Sequence, residues 1–175
     1  MAHPKNMKVL MVIAPDGYQD IEYNTPKSIL TNNGYEVITT STIQTAKGSL
    51  GGETEVDLLL KEAFQEDYIA IVFVGGPGAH FYFEYQPALK LAQDFYNAGK
   101  LTTAICAGPS ILANAGILKN KTATSFEGQG KNLENKGATY TGNLVEQDGT
   151  IITANGPQAA EAFGKKIVEA LRTSK

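Results

Sequence analysis

An α/β fold follows from three observations in this 175-residue chain: a mostly parallel sheet with helices on both faces and a β-hairpin near the C-terminus. Short β-branched runs alternate with amphipathic stretches, the pattern of strands returning through helices. Residues 69–74 are apolar throughout, as in a strand covered on both sides. Asp148-Gly149 lies between two short β-prone runs and signals a hairpin.

Each element has its own local reason. Residues 7–14 form an apolar first strand. Residues 20–33 read as a helix stopped by Gly34, with Pro26 bending its first turns. Residues 35–43, rich in Val, Ile and Thr, return as a strand. Residues 48–52 are a turn, 55–60 a short edge strand and 63–66 a short helix. The central run at 69–74 ends in Gly75-Gly76. Pro87 then opens a helix with Ala88, Leu91, Ala92 and Phe95 on one face, closed by Gly99. Residues 101–106 form the next strand and pass directly into a helix over 109–115, ended by Gly116. Residues 122–126 and 138–141 read as strands separated by a Gly-rich, polar stretch, and 144–147 and 150–154 as the hairpin arms. The last helix opens at Gly156-Pro157 and carries Ala160, Phe163, Ile167 and Leu171 on one face.

Length favours one domain, since 175 residues is about 1.2 times a typical domain. With no internal repeat or linker, residues 1–175 read as a single unit whose first six residues form a flexible tail. Composition is ordinary for a globular protein, with 42% hydrophobic and 19% charged residues, so disorder, collagen and coiled coil drop out. The net charge of −3 gives no electrostatic footprint for nucleic acid or an anionic membrane. The run at 9–14 is too short for a transmembrane helix and lacks a cleavage site, so it reads as a buried strand. One cysteine allows no internal disulfide and points to a reducing, cytoplasmic compartment. Two histidines, His3 and His80, rule out a histidine-rich metal site, and no metal or organic cofactor is expected.

Ligands of open α/β sheets bind beyond the carboxyl ends of the parallel strands. Three loops there carry the chemistry: 14–22, 75–78 and 105–109. Cys106, between Ala104 and Ala107-Gly108, has the small neighbours of a nucleophile elbow. A helix beginning there would favour a thiolate and lower the thiol pKa. A small buried hydrophobe is the alternative reading of the same cysteine. Gly75 and Gly76 allow backbone N–H groups to approach an oxyanion, or simply form a turn. Glu22 reads locally as a helix-start carboxylate, as do Asp16 and Asp20; three acids together argue against phosphate binding at that loop. His80, among Phe81, Tyr82, Phe83 and Tyr85, is either a substrate contact or part of a packed aromatic loop.

These motifs, Ala104-Ile105-Cys106-Ala107-Gly108-Pro109, Phe73-Val74-Gly75-Gly76-Pro77-Gly78 and Asp20-Ile21-Glu22, resemble the ThiJ/PfpI superfamily. The likeness is greatest to the branch of the Parkinson's-disease-associated deglycase, and it runs from about Met7 to Leu171. The resemblance implies a flavodoxin-like three-layer sandwich and a homodimer. It assigns Cys106 as the nucleophilic, oxidation-prone cysteine, Glu22 as the acid beside it, and Gly75, Gly76 and Ala107 as the oxyanion pocket. A useful Glu22 must then be protonated and donate a hydrogen bond to sulfur, because an ionised carboxylate would oppose a thiolate. Two positions depart from the family pattern. The protease-like branch has histidine where Ala107 stands, and glyoxalase members often have histidine where Ser125 stands, which leaves His80 and Ser125 as candidate substrate contacts.

The implied activity is a cofactor-free enzyme acting on small reactive carbonyls or their adducts, in the manner of a glyoxalase or deglycase. A second reading is an oxidation sensor or holdase-like stress protein with Cys106 as sulfinate. An amidase or peptidase is the third.

Overall fold

The computed structural model describes residues 7–173. His3 and the proposed flexible tail over 1–6 lie outside them. In chain order the first half comprises β1 (Lys8–Val12), β2 (Asp16–Tyr18), α1 (Asp20–Asn32), β3 (Glu36–Ser41), β4 (Thr45–Gly48), β5 (Glu53–Glu55), β6 (Leu58–Leu59) and β7 (Ala70–Phe73). The second half comprises α2 (Gln86–Asn97), β8 (Leu101–Ile105), α3 (Pro109–Asn114), β9 (Thr122–Ala123) and α4 (Gly130–Asn135). It ends with β10 (Thr139–Tyr140), β11 (Val145–Asp148), β12 (Ile151–Ala154) and α5 (Ala160–Thr173).

Seven strands form the main sheet in the order β11-β12-β8-β7-β1-β3-β6. Every adjacent pair is parallel except β11 with β12, so the sandwich is the flavodoxin-like α/β fold that the sequence predicts. Helices α1 and α5 pack together against β3, β8 and β12, while α2 and α3 pack together against β7 and β8. All residues of β7 and β8 are buried under the two helical layers, those of β7 apolar throughout and those of β8 including Thr102 and Thr103. From β1 the chain proceeds to β3 on one side and later to β7 on the other. The crevice where such a sheet binds ligands therefore opens beyond the carboxyl ends of β1 and β7.

Departures from the predicted elements have local causes. The strand expected over 55–60 is interrupted: β5 ends at Glu55 in a small side sheet with β4 and β2, and β6 joins β3. Asp57 makes the switch, its N–H donating to Thr39 O and its carboxylate accepting the Thr39 N–H, both at 2.8 Å. The four-residue helix expected over 63–66 is replaced by two 3-10 turns, Leu60–Glu62 and Gln65–Asp67. Within the Gly-rich stretch, α4 forms around the buried Leu133. Pro26 lies inside α1, which continues to Asn32. The hairpin turns one residue later than expected, on Gly149 and Thr150, because Asp148 still pairs with Ile151; Gly149 has φ +62 at the position where glycine is favoured.

Candidate active site

β8 delivers Cys106 to the crevice in a left-handed conformation, φ +63, which costs a non-glycine residue about 1–2 kcal/mol. Three hydrogen bonds hold the bend. The Cys106 N–H donates to Ala154 O at 2.8 Å, the Phe126 N–H donates to Cys106 O at 2.7 Å, and the Gly108 N–H closes onto Ile105 O at 2.9 Å. Gly108 is needed because a Cβ there would lie 2.6 Å from Phe73 O. Cys106 is only partly buried at the edge of the core, so it is not the fully enclosed hydrophobe of the alternative reading.

Glu22 arrives from the other side, on the first turn of α1, and is 0% exposed. Gln19 caps that turn, its Oε1 accepting the Glu22 N–H at 2.8 Å. Neither carboxyl oxygen has a hydrogen-bond partner. Burial pushes the Glu22 pKa up from 4.5 to about 7. The Cys106 thiol and the Gly75 N–H lie close enough to favour the ionised form somewhat, without reaching hydrogen-bond geometry to either oxygen.

The Gly75-Gly76 turn separates the two side chains. A Cβ on Gly75 would lie 2.5 Å from Glu22 Oε1, 2.6 Å from Ile105 O and 2.7 Å from Cys106 Cβ, so only glycine fits between acid and thiol. Among the described residues no backbone carbonyl takes the N–H of Gly75, Gly76 or Ala107. Those of Gly76 and Ala107 favour a negative sulfur, whereas that of Gly75 faces the acid.

The lowered thiol pKa expected from a helix start is not what the structure gives. Burial first, then the charge of Glu22, pushes Cys106 up from 9.0 to about 12, against the pull of the Gly76 and Ala107 amides. The following helix α3 is only six residues long, so the local N–H groups act in place of a long helix dipole. Acid and thiol titrate as a pair, which keeps one proton between about 7 and about 12.

The other two candidates lie differently. His80 is exposed on a 3-10 turn, its Nδ1 3.1 Å from Pro77 O and its ring stacked on Phe83 at 4.5 Å. It lines a cavity of about 680 Å³ with Phe83, Glu84, Asn114 and Gln129, whose walls include neither Cys106 nor Glu22. Ser125 is buried beside the elbow, but its hydroxyl donates to Phe126 O at 2.8 Å. Local reading missed Gln19 and Phe126. The Gln19-x-x-Glu22 spacing, that of a capping box, is the one cue for Gln19.

Over residues 7–170 the sequence matches the DJ-1/PfpI family. The chain belongs to that family. An uncharacterized protein of Methanocaldococcus jannaschii is 39% identical, over 95% of this chain and 83% of its own length. A protein of Thermococcus kodakarensis named as a deglycase is 30% identical, over 95% of this chain and 100% of its own. The crystal structure of a ThiJ/PfpI domain protein from Brachyspira murdochii superposes with a TM-score of 0.95 at 32% identity, covering 98% of this chain and 100% of that one. Membership in the DJ-1/PfpI family accounts for the sheet order and for a crevice at β1, β7 and β8. Among the described residues no helix is long and apolar enough to cross a membrane, and no three His, Cys, Asp or Glu side chains converge as a metal ligand set.

Proposed function

We propose that this DJ-1/PfpI protein is a cysteine-dependent enzyme acting on small reactive carbonyls or their adducts, with Cys106 as nucleophile and Glu22 as acid and base. One observation carries the reading: a carboxyl group with no exposure and no hydrogen-bond partner faces a thiol on a strained bend. Such a group costs the fold stability, and costs of this kind cluster at functional sites. The deglycase name of the Thermococcus relative supports the substrate class.

The thiol holds the pair's single proton more tightly than the acid. The reactive form therefore arises when that proton passes from sulfur to the Glu22 carboxylate, leaving an anionic sulfur that the Gly76 and Ala107 amides favour. For an α-oxoaldehyde, sulfur bonds to the aldehyde carbon and the aldehyde oxygen takes a proton from Glu22. The Glu22 carboxylate then removes the proton on that carbon and returns it to the neighbouring carbonyl carbon, while the hydroxyl proton passes to the neighbouring oxygen, leaving the Cys106 thioester of a 2-hydroxy acid. Water adds to the thioester, the carbon–sulfur bond breaks, and the 2-hydroxy acid departs with Cys106 restored as the thiol. One carbon is oxidised and its neighbour reduced, so no external oxidant enters. The N–H groups at Gly75, Gly76 and Ala107, which no backbone carbonyl among the described residues takes, supply donors for the oxygen as it gains charge. A homodimer and a cytoplasmic setting belong to the same proposal.

Partial exposure of Cys106 beside an unpartnered acid also favours a sensor reading, in which Glu22 donates to a sulfinate oxygen. The deciding experiment follows 2-hydroxy acid formation from methylglyoxal in wild type and Cys106→Ser. Turnover is expected in wild type, and the variant is expected to lose about a thousandfold or more. Full activity in Cys106→Ser would overturn the enzyme reading; selective addition of two oxygens at Cys106 by peroxide, without carbonyl turnover, would favour the sensor.

A further inference from the structure

We propose that Gln19 is a positioning residue for the Cys106–Glu22 pair, tying the helix that carries the acid to the glycine turn beside the thiol. The inference rests on the reading of that pair given above. β1 and β8 are not neighbours in the sheet, because β7 runs between them. The Gly75-Gly76 turn that follows β7 therefore lies between the first turn of α1 and Cys106. Gln19 bonds in both directions: its N–H donates to Gly75 O at 3.0 Å, and its Oε1 accepts the Glu22 N–H at 2.8 Å. Its carbonyl accepts the Tyr23 N–H at 3.1 Å. Among the described residues no other one bonds to both the Glu22 backbone and this turn. The fit is close, since a Cβ on Gly76 would lie 2.5 Å from Gln19 N.

Glu22 makes this tie consequential. Among the described residues no donor reaches hydrogen-bond geometry to either carboxyl oxygen, so the place of the carboxyl depends chiefly on packing and on where its own backbone sits. A slip of the first turn moves it directly. Helix capping alone does not account for glutamine here, because Ser, Thr, Asp and Asn are the favoured N-caps.

The test titrates the Cys106 thiolate by its ultraviolet absorbance in wild type, Gln19→Ala and Glu22→Gln, together with the pH–rate profile for carbonyl turnover. Gln19→Ala is expected to move the thiol ionisation by about one pH unit toward that of an ordinary cysteine, the direction Glu22→Gln also takes. It is expected to lower kcat about tenfold with KM within about twofold. Gln19→Asn, which keeps an acceptor for the capped N–H, is expected to recover most of both. Should Gln19→Ala not fold, Gln19→Met preserves the length without a carbonyl acceptor and poses the same question. A lower melting temperature with the wild-type thiol ionisation and pH–rate profile would make Gln19 a cap and nothing more. If Glu22→Gln shifts the thiol while the Gln19 variants do not, the pair stands and the positioning role falls. If Glu22→Gln also leaves the thiol unmoved, the underlying reading fails first.

Discussion

The left-handed backbone at Cys106 is a cost carried by a single residue, and it can be measured without any substrate. Glycine occupies that region freely, whereas alanine meets the same steric clash as cysteine. Comparing Cys106→Gly with Cys106→Ala, both without a thiol, isolates the strain. In an ordinary strand or helix Ala is more stable than Gly by roughly 0.5–1 kcal/mol. At this elbow the order is expected to invert, with Cys106→Gly more stable by about 1 kcal/mol in urea unfolding; the ordinary order would mean that the bend is not strained. The same scale explains which site residues were legible in the sequence. Cys106, Ala107, Gly75 and Gly76 announce themselves through small neighbours and a strand end. Glu22 gained its candidacy from the family resemblance, since locally it is one acid among three. Gln19 and Phe126 gave almost no signal, because each also makes a backbone bond, to Gly75 or to Cys106, with a partner far away in the chain. No feature of their side-chain chemistry encodes that.

Between elements, the placement of Glu22 depends on how α1 is seated, and α1 is seated on α5. Gly164 of α5 faces α1 so closely that a Cβ there would lie 2.9 Å from Ile29 Cδ1 and 3.2 Å from Pro26 Cα. Two effects oppose each other in Gly164→Ala. Helix propensity favours Ala by roughly 0.8–1 kcal/mol, while overpacking costs about 1–3 kcal/mol. The Ile29 methyl can turn aside, but the Pro26 Cα is backbone and yields only if α1 shifts. A net loss of about 1 kcal/mol is expected, read as a lower melting temperature. The fall in kcat is expected to exceed what the loss of folded protein explains, since α1 bears the acid. An unchanged melting temperature and kcat would show that the two helices have slack. Element by element, the sequence discloses those that bury an apolar face. The strands β1, β7, β8 and β12 and the helices α2 and α5 all do so. It conceals the elements fixed by distant partners. β4 and β5 close over a loop whose Leu50 and Gly52 N–H groups donate to the Asp20 carboxylate at 2.9 and 2.7 Å. Helix α4, in a stretch that reads as polar loop, forms around one buried leucine.

The buried acid makes the stability of the whole molecule depend on pH, with a sign opposite to that of a salt-bridged carboxylate. Glu22 ionises at about 7 in the folded chain, against an ordinary value of 4.5. Below pH 4.5 both folded and unfolded states hold the proton, and the group adds no pH dependence. Between 4.5 and about 7 the unfolded chain has released it and the folded chain has not, so the unfolded state binds fewer protons and each rise in pH favours unfolding. Stability is therefore expected to fall by about 3 kcal/mol across that window and then to level off once the folded group ionises. The thiol repeats the pattern in the alkaline range, because its folded value of about 12 also lies above the ordinary 9.0. Urea unfolding of wild type and Glu22→Gln at several pH values between 4.5 and 7 separates this group from every other. The amide cannot ionise, so the difference between the two curves is the linkage of Glu22 alone, and wild type is expected to lose stability relative to the variant as pH rises. Parallel curves would mean that the carboxyl ionises in the folded protein as it does in water. That would remove both the held proton and the reason for a thiol reaction to depend on it.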